Sequence, residues 1–223
     1  MRIMFLDEHV DNNSTLIGGI YLDMDEIRLI IDAINSAWDK LGTEWDFHYV
    51  KDKKIVRNEM PVSEIFLNSL HSYFERRHTL IVVHKDVEAL KKHNDEFYPT
   101  VIFNLYSFPV FLSRSDYALI DKNPQVTVMK NIIEKIGYPK IFYDVDMLVH
   151  TMDIDTKNHI LKIIKNIIRS KKGIAIQSLD RAYNLRKEEA IKRVMKWGLF
   201  CADYVVSSMD KEWRKVDIYG REI

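Results

Sequence analysis

The sequence predicts an α/β fold, a mixed sheet with helices on both faces, formed as a single domain over residues 1–223. Three observations carry this. The chain opens with two short apolar runs, RIMFLDEH (Arg2 to His9) and LIGGIYL (Leu16 to Leu22), joined by the polar cluster DNNST, which is the pattern of a hairpin. Apolar strand-like runs then alternate with stretches whose apolar residues recur at helical spacing. Finally, 223 residues of which 47% are apolar and 30% charged suffice for one sizeable core.

Taken in order, Ile3 to Leu6 is a continuous apolar run, the signature of a strand buried on both faces, and it ends on Asp7 and Glu8. In the second run Gly18 and Gly19 predict a bulge or a close backbone approach. Asp25 is a candidate cap for a helix with the stripe Ile27, Ile30, Ile31, Ile34, Trp38 and Leu41, stopped by Gly42. EWDFHYVKD, Glu44 to Asp52, reads as a loop or short extended piece. Pro61 and Ser63 open a helix carrying Phe66, Leu70, Tyr73 and Phe74. TLIVVHK, Thr79 to Lys85, is a β-branched strand.

Helices are expected over Asp86 to His93, within Glu96 to Ser113, and over Gln125 to Ile136. KIFYDVD, Lys140 to Asp146, is a second apolar run ending in acids. Thr156 to Ser170 is a helix, GIAIQSLD (Gly173 to Asp180) a strand, and about Lys187 to Met209 a long helix. The polar tail from Asp210 is expected to be edge or frayed.

The totals narrow the function. Formal net charge is zero, from 33 basic and 33 acidic residues, which argues against long-range attraction to nucleic acid while leaving room for a local basic groove. A single cysteine, Cys201, excludes an internal disulfide. No run of about 18 apolar residues exists, and acids interrupt the N-terminal run too early for a signal peptide, so a cytoplasmic protein without a membrane partner is expected. Seven glycines form neither a phosphate-binding loop nor a dinucleotide fingerprint. His71, His78, His84, His93, His150 and His159 lack the spacing of a zinc site.

Four acids stand out by placement. Asp7 and Asp144 end apolar strands, Asp46 sits in an aromatic loop, and Asp203 is the lone charge between Trp197 and Ser208. A carboxylate in apolar surroundings is costly unless paired, protonated or bound to metal. Several together repel one another, and a divalent cation relieves both problems. Hard oxygen ligands suit Mg²⁺ or Mn²⁺, which serve phosphodiester cleavage. Each acid has a plainer alternative. Asp7 could start the turn with Asn12 and Asn13, Asp46 could be a solvated loop acid, Asp144 or Asp146 could cap a connection, and Asp203 could pair with a neighbouring cation. His9 and His48 are placed to position a phosphate or shuttle a proton.

These motifs resemble the domain of unknown function 3800 family, whose members are similar to ribonuclease H-like nucleases. The likeness lies in the opening strand with Asp7-Glu8, the Gly18-Gly19 strand, the Asp46-Phe47-His48 loop, the strand ending in Asp144, and Ala202-Asp203 on a late helix. Where the family usually has Ser-Gly after the first acids, His9 and Val10 stand here. Asp46 takes the place of a longer acid, and a usual Gln before Ala-Asp is absent. The resemblance implies a ribonuclease H-like domain and a metal-dependent nuclease. Asp7, Asp46, Asp144 and Asp203 would bind Mg²⁺ or Mn²⁺, with Glu8 and Asp146 as alternates. His48, Lys51, Lys53, Lys54 and the nearby Arg57 would contact nucleic acid. It also admits a catalytically degenerate binding module in a mobile-element or defence system. A third alternative, a haloacid dehalogenase-type phosphatase, rests on IFYDVDML. Against it, Met147-Leu148 stand where that motif has a small Gly-Thr pair, and two-thirds of the chain precedes it.

Overall fold

A computed structural model describes residues 2–10, 15–84, 140–142, 152–217 and 221–223. β1 (Arg2–Val10) and β2 (Thr15–Asp23) form the opening hairpin, antiparallel from Arg2 opposite Asp23 to Val10 opposite Thr15. β5 (Thr79–His84) adds antiparallel to β2, and β6 (Lys140–Phe142) adds parallel to β1 with Phe142 opposite Phe5. β7 (Lys215–Asp217), from the polar tail, is an edge strand parallel to β5. The mixed sheet therefore runs β6-β1-β2-β5-β7. A separate ribbon pairs β3 (Val56–Arg57) with β4 (Met60–Pro61), turning through Asn58 and Glu59, both at positive φ.

Six α-helices are described. α1 (Arg28–Leu41) comes after a 3-10 turn, Met24–Ile27. The cap of that turn is Asp23 rather than Asp25, its backbone N–H donating to Glu26 at 3.0 Å. Gly42 ends α1 in the left-handed conformation expected of it (φ 71°). α2 (Tyr49–Asp52) is a single turn at the end of the aromatic loop, and α3 (Val62–Tyr73) starts after Pro61. α4 (Ile154–Ser170) is capped by Asp153, which accepts from the Thr156 N–H at 2.8 Å. α5 is Ile174–Leu185 and α6 is Lys187–Ser208.

One element is corrected outright: GIAIQSLD is the start of helix α5, not a strand. Its buried residues Ala175, Ile176, Leu179 and Ala182 recur three and four apart, and that period shows only when the pattern is traced beyond Asp180. The helices expected within residues 86–136 lie outside the described residues.

The sheet's rows alternate as strands require. Ile3, Phe5, Leu16, Ile20, Leu22, Ile81 and Val83 join one core cluster to which α1, α3, α4, α5 and α6 all contribute. Met4, Leu6 and Leu80 are buried outside that cluster. Gly18 and Gly19 explain how the strands approach so closely. A Cβ at Gly18 would stand 2.3 Å from the Leu80 carbonyl oxygen, and one at Gly19 (φ 156°) 2.0 Å from that of Phe5. Among the described residues no helix is long and apolar enough to cross a membrane.

α6 lies along β1 and β2 and sets the spacing between the first strand and the late acid Asp203. Its Gly198 meets the Phe5 ring, which a Cβ there would approach to 2.3 Å, and Ala202 meets Gly19. Further on, Ser207 reaches His9, 3.2 Å from hydroxyl to Nδ1. Phe5 to His9 spans about 13 Å of strand, and Gly198 to Ser207 about 13.5 Å of helix. The two elements therefore run side by side in the same direction and in step.

Candidate functional site

That parallel run places Asp7. Strand alternation puts it on the same side of β1 as Phe5 and His9, toward α6. It lies midway between the levels of Gly198 and Ser207, where Asp203 stands. Across the sheet its neighbour is Gly18, which adds no side chain there. Asp7 is half-buried, as is Asp203. Two of the four acids named from the sequence thus arrive at one interface.

Asp203 is held by α2 and by its own helix. Its Oδ2 accepts the Tyr49 backbone N–H at 2.8 Å, at the start of α2. Its Oδ1 accepts the Ser207 hydroxyl at 3.0 Å, from one turn further along α6. A serine hydroxyl has one proton. With that proton on Asp203, the oxygen accepts from a protonated Nδ1 of His9 on β1, which makes a chain His9–Ser207–Asp203 between strand and helix. His48 Nδ1 stands 3.8 Å from Asp203 Oδ2, on a side chain that is half exposed.

Asp52, which sequence reasoning passed over, is the most deeply buried acid of the region at 2% exposure. It accepts the Trp45 indole N–H at 3.0 Å, the His48 backbone N–H at 2.7 Å and the Tyr204 hydroxyl. Burial, together with the bond to Asp52 and the charges of Asp52 and Asp203, pushes the Tyr204 phenol far above its usual range. Tyr49 is also raised, by burial and then by Asp210 and Asp203. Neither tyrosine gives up its proton near neutral pH. Asp52 therefore fastens loop 44–52 to α6, and α2 is thereby brought to Asp203. Lysines flank Asp52 in the sequence, so nothing there marks it as buried. Ser207 did carry a signal, being four residues after Asp203 on one helix face.

The remaining candidates fall elsewhere. Asp46 is exposed and pairs with Lys196 at 3.0 Å, two helical turns before Asp203, in a groove that Trp38, Trp45 and Trp197 also line. Lys51, Lys53 and Lys54 are exposed on and after α2. Glu8 lies on β1 at the register position opposite Ile17. Asp144 and Asp146, and with them most of the IFYDVDML motif, lie outside the described residues.

Among the described residues no group of three or more His, Cys, Asp or Glu side chains could hold a metal ion. Asp7 and Asp203 supply two hard oxygen donors of the type Mg²⁺ and Mn²⁺ prefer, and both oxygens of Asp203 keep a lone pair beyond the hydrogen bonds described. No family model, curated protein or solved structure matches this chain.

Proposed function

We propose that this chain is a metal-dependent nuclease with a ribonuclease H-like domain, akin to the domain of unknown function 3800 family, hydrolysing phosphodiester bonds of nucleic acid. The observation that carries the reading is the bonded chain His9–Ser207–Asp203 between β1 and α6, which starts two residues from Asp7 on the same strand. The sheet supports it: a hairpin opens the fold, and β6 joins β1 in parallel with Phe142 opposite Phe5. Asp144 comes two residues after Phe142, as Asp7 comes two after Phe5.

In this reading Asp7, Asp203 and Asp144 hold Mg²⁺ or Mn²⁺, and Asp46 serves as the partner of Lys196. The bound ion would neutralise the gathered carboxylates and lower the pKa of a water for attack on phosphorus. The chain's own residues do the rest. Ser207 and the Tyr49 N–H fix the rotamer of Asp203, and His9 anchors Ser207 from the strand. His48, exposed beside Asp203, and the lysines after it meet the phosphates of the substrate.

A second reading, a ribonuclease H-like binding module that has lost its chemistry, is favoured by one feature. Asp203 already accepts from Tyr49 and Ser207, a use that needs no metal. A nuclease assay separates the two. Wild type with Mn²⁺ is expected to cleave single-stranded, duplex or hybrid oligonucleotides, and Asp7→Asn and Asp144→Asn to abolish cleavage. Activity unchanged in either variant would refute the nuclease centre.

A further inference from the structure

Residues 51–57 carry four cations, Lys51, Lys53, Lys54 and Arg57, and one acid, Asp52. Asp52 is buried and turned inward to Trp45, His48 and Tyr204, while all four cations are exposed. The segment therefore presents four positive charges to solvent on a chain whose net charge is zero. Among the described residues none of the four forms an ion pair, whereas Lys196 and Arg193 in the neighbouring groove are neutralised by Asp46 and Glu44. Two of the four cations lie over aromatic rings: Lys53 Nζ is 5.2 Å from the centre of Tyr49, and Arg57 5.9 Å from that of Trp45. Both rings are half-buried and braced from behind, Trp45 by its indole bond to Asp52 and Tyr49 by edge contact with Tyr204 at 5.4 Å. The backbone of Tyr49 is bonded to Asp203.

We propose that α2 and the β3–β4 ribbon form a platform for single-stranded nucleic acid: the flexible Lys53 and Arg57 side chains move off the Tyr49 and Trp45 rings onto phosphates, with Lys51 and Lys54, and unstacked bases take their place on the rings. Braced aromatic rings interleaved with solvent-exposed cations are what strand binding without base reading requires. A duplex hides the faces of its bases, so it could use the cations but not the rings. The proposal rests on the nucleic-acid reading of this chain and sharpens it: the platform ends at Asp203, so a strand lying on it delivers a phosphodiester to the Asp7–Asp203 interface.

The test is binding of a fluorescent 12-nucleotide single strand, DNA and RNA in turn, by anisotropy in EDTA, with a duplex of equal length and anionic phosphatidylserine vesicles for comparison. Single strands are expected to bind at least about tenfold tighter than duplex. Four phosphate contacts predict an affinity loss of about 50-fold between 50 and 200 mM salt, and of only about 7-fold in Lys53→Ala/Arg57→Ala. Tyr49→Leu, which keeps the backbone N–H and the apolar bulk, is expected to weaken binding about tenfold. Equal affinity for duplex, vesicle binding without oligonucleotide binding, or affinity unchanged in both variants would overturn the proposal. Because EDTA removes metal, this assay is independent of the carboxylate centre: loss of strand preference with metal-dependent cleavage intact would refute the platform alone.

Discussion

Asp52→Ala tests how the loop is held against the helix. In the native fold three donors converge on this one buried carboxylate: the Trp45 indole, the His48 backbone N–H and the Tyr204 hydroxyl. Each buried donor left without an acceptor costs about 1–3 kcal/mol. Water entering the vacated space would satisfy part of the demand, so the expected loss is about 3–5 kcal/mol rather than the full sum. Against a total stability of about 5–15 kcal/mol for a domain, that is a large fraction. Tyr204→Phe removes one charge-assisted bond and should cost about 1.5–3 kcal/mol. The double variant should lose less than the sum, because both substitutions break the same bond. Urea unfolding monitored by circular dichroism measures all three. A change below about 1 kcal/mol for Asp52→Ala, or strict additivity in the double variant, would show that Asp52 does not fasten the loop.

The same geometry predicts the outcome of other perturbations. Gly19→Ala places a Cβ 2.0 Å from the Phe5 carbonyl oxygen and 2.8 Å from Ala202 Cβ, at a positive φ; a loss of about 2–4 kcal/mol in chemical unfolding is expected. Lys196→Ala breaks an exposed pair with Asp46 and a contact over the Phe200 ring, both at the surface, so unfolding free energy should fall by no more than about 1 kcal/mol. Glu26 is held below the usual carboxylate range: burial works against this, but the Asp23 N–H, His78 and Arg77 outweigh it. Asp210 is lowered in the same way, burial being outweighed by the Glu212 N–H, His71 and Lys215. A lowered folded-state pKa contributes stability above the unfolded carboxylate pKa and loses it as pH falls through the folded value. Thermal melts from about pH 6 down to about pH 3 should therefore fall less steeply for Glu26→Gln than for wild type, and parallel curves would contradict the assignment.

Sequence reasoning located the elements whose signals are local. The β1–β2 hairpin, the TLIVVH strand, the α1 stripe with its Gly42 stop and the long α6 each announce themselves within one window of residues. The Gly18-Gly19 pair was legible as a close approach because no other residue type tolerates it. The error at GIAIQSLD came from the same locality: a few residues of strand-like composition open a helix whose period appears only over its whole length. For the site, strand-end and lone-charge arguments singled out Asp7, which stands on β1, and Asp203, which stands on the helix packed along it. They also singled out Asp46, whose surroundings depend on a residue 150 positions away, Lys196. The role of Asp52 is a matter of tertiary contact entirely. A carboxylate between two lysines looks solvated until Trp45 and Tyr204 close over it.

The central claim is that Asp7 and Asp203 are two sides of one divalent-metal centre. Calorimetric titration of Mn²⁺ into the folded protein tests it most directly. Saturable heat from wild type, lost in Asp7→Asn and in Asp203→Asn while both variants keep the wild-type circular dichroism spectrum, is the predicted result. No heat from folded wild type, or undiminished heat from both variants, would contradict it.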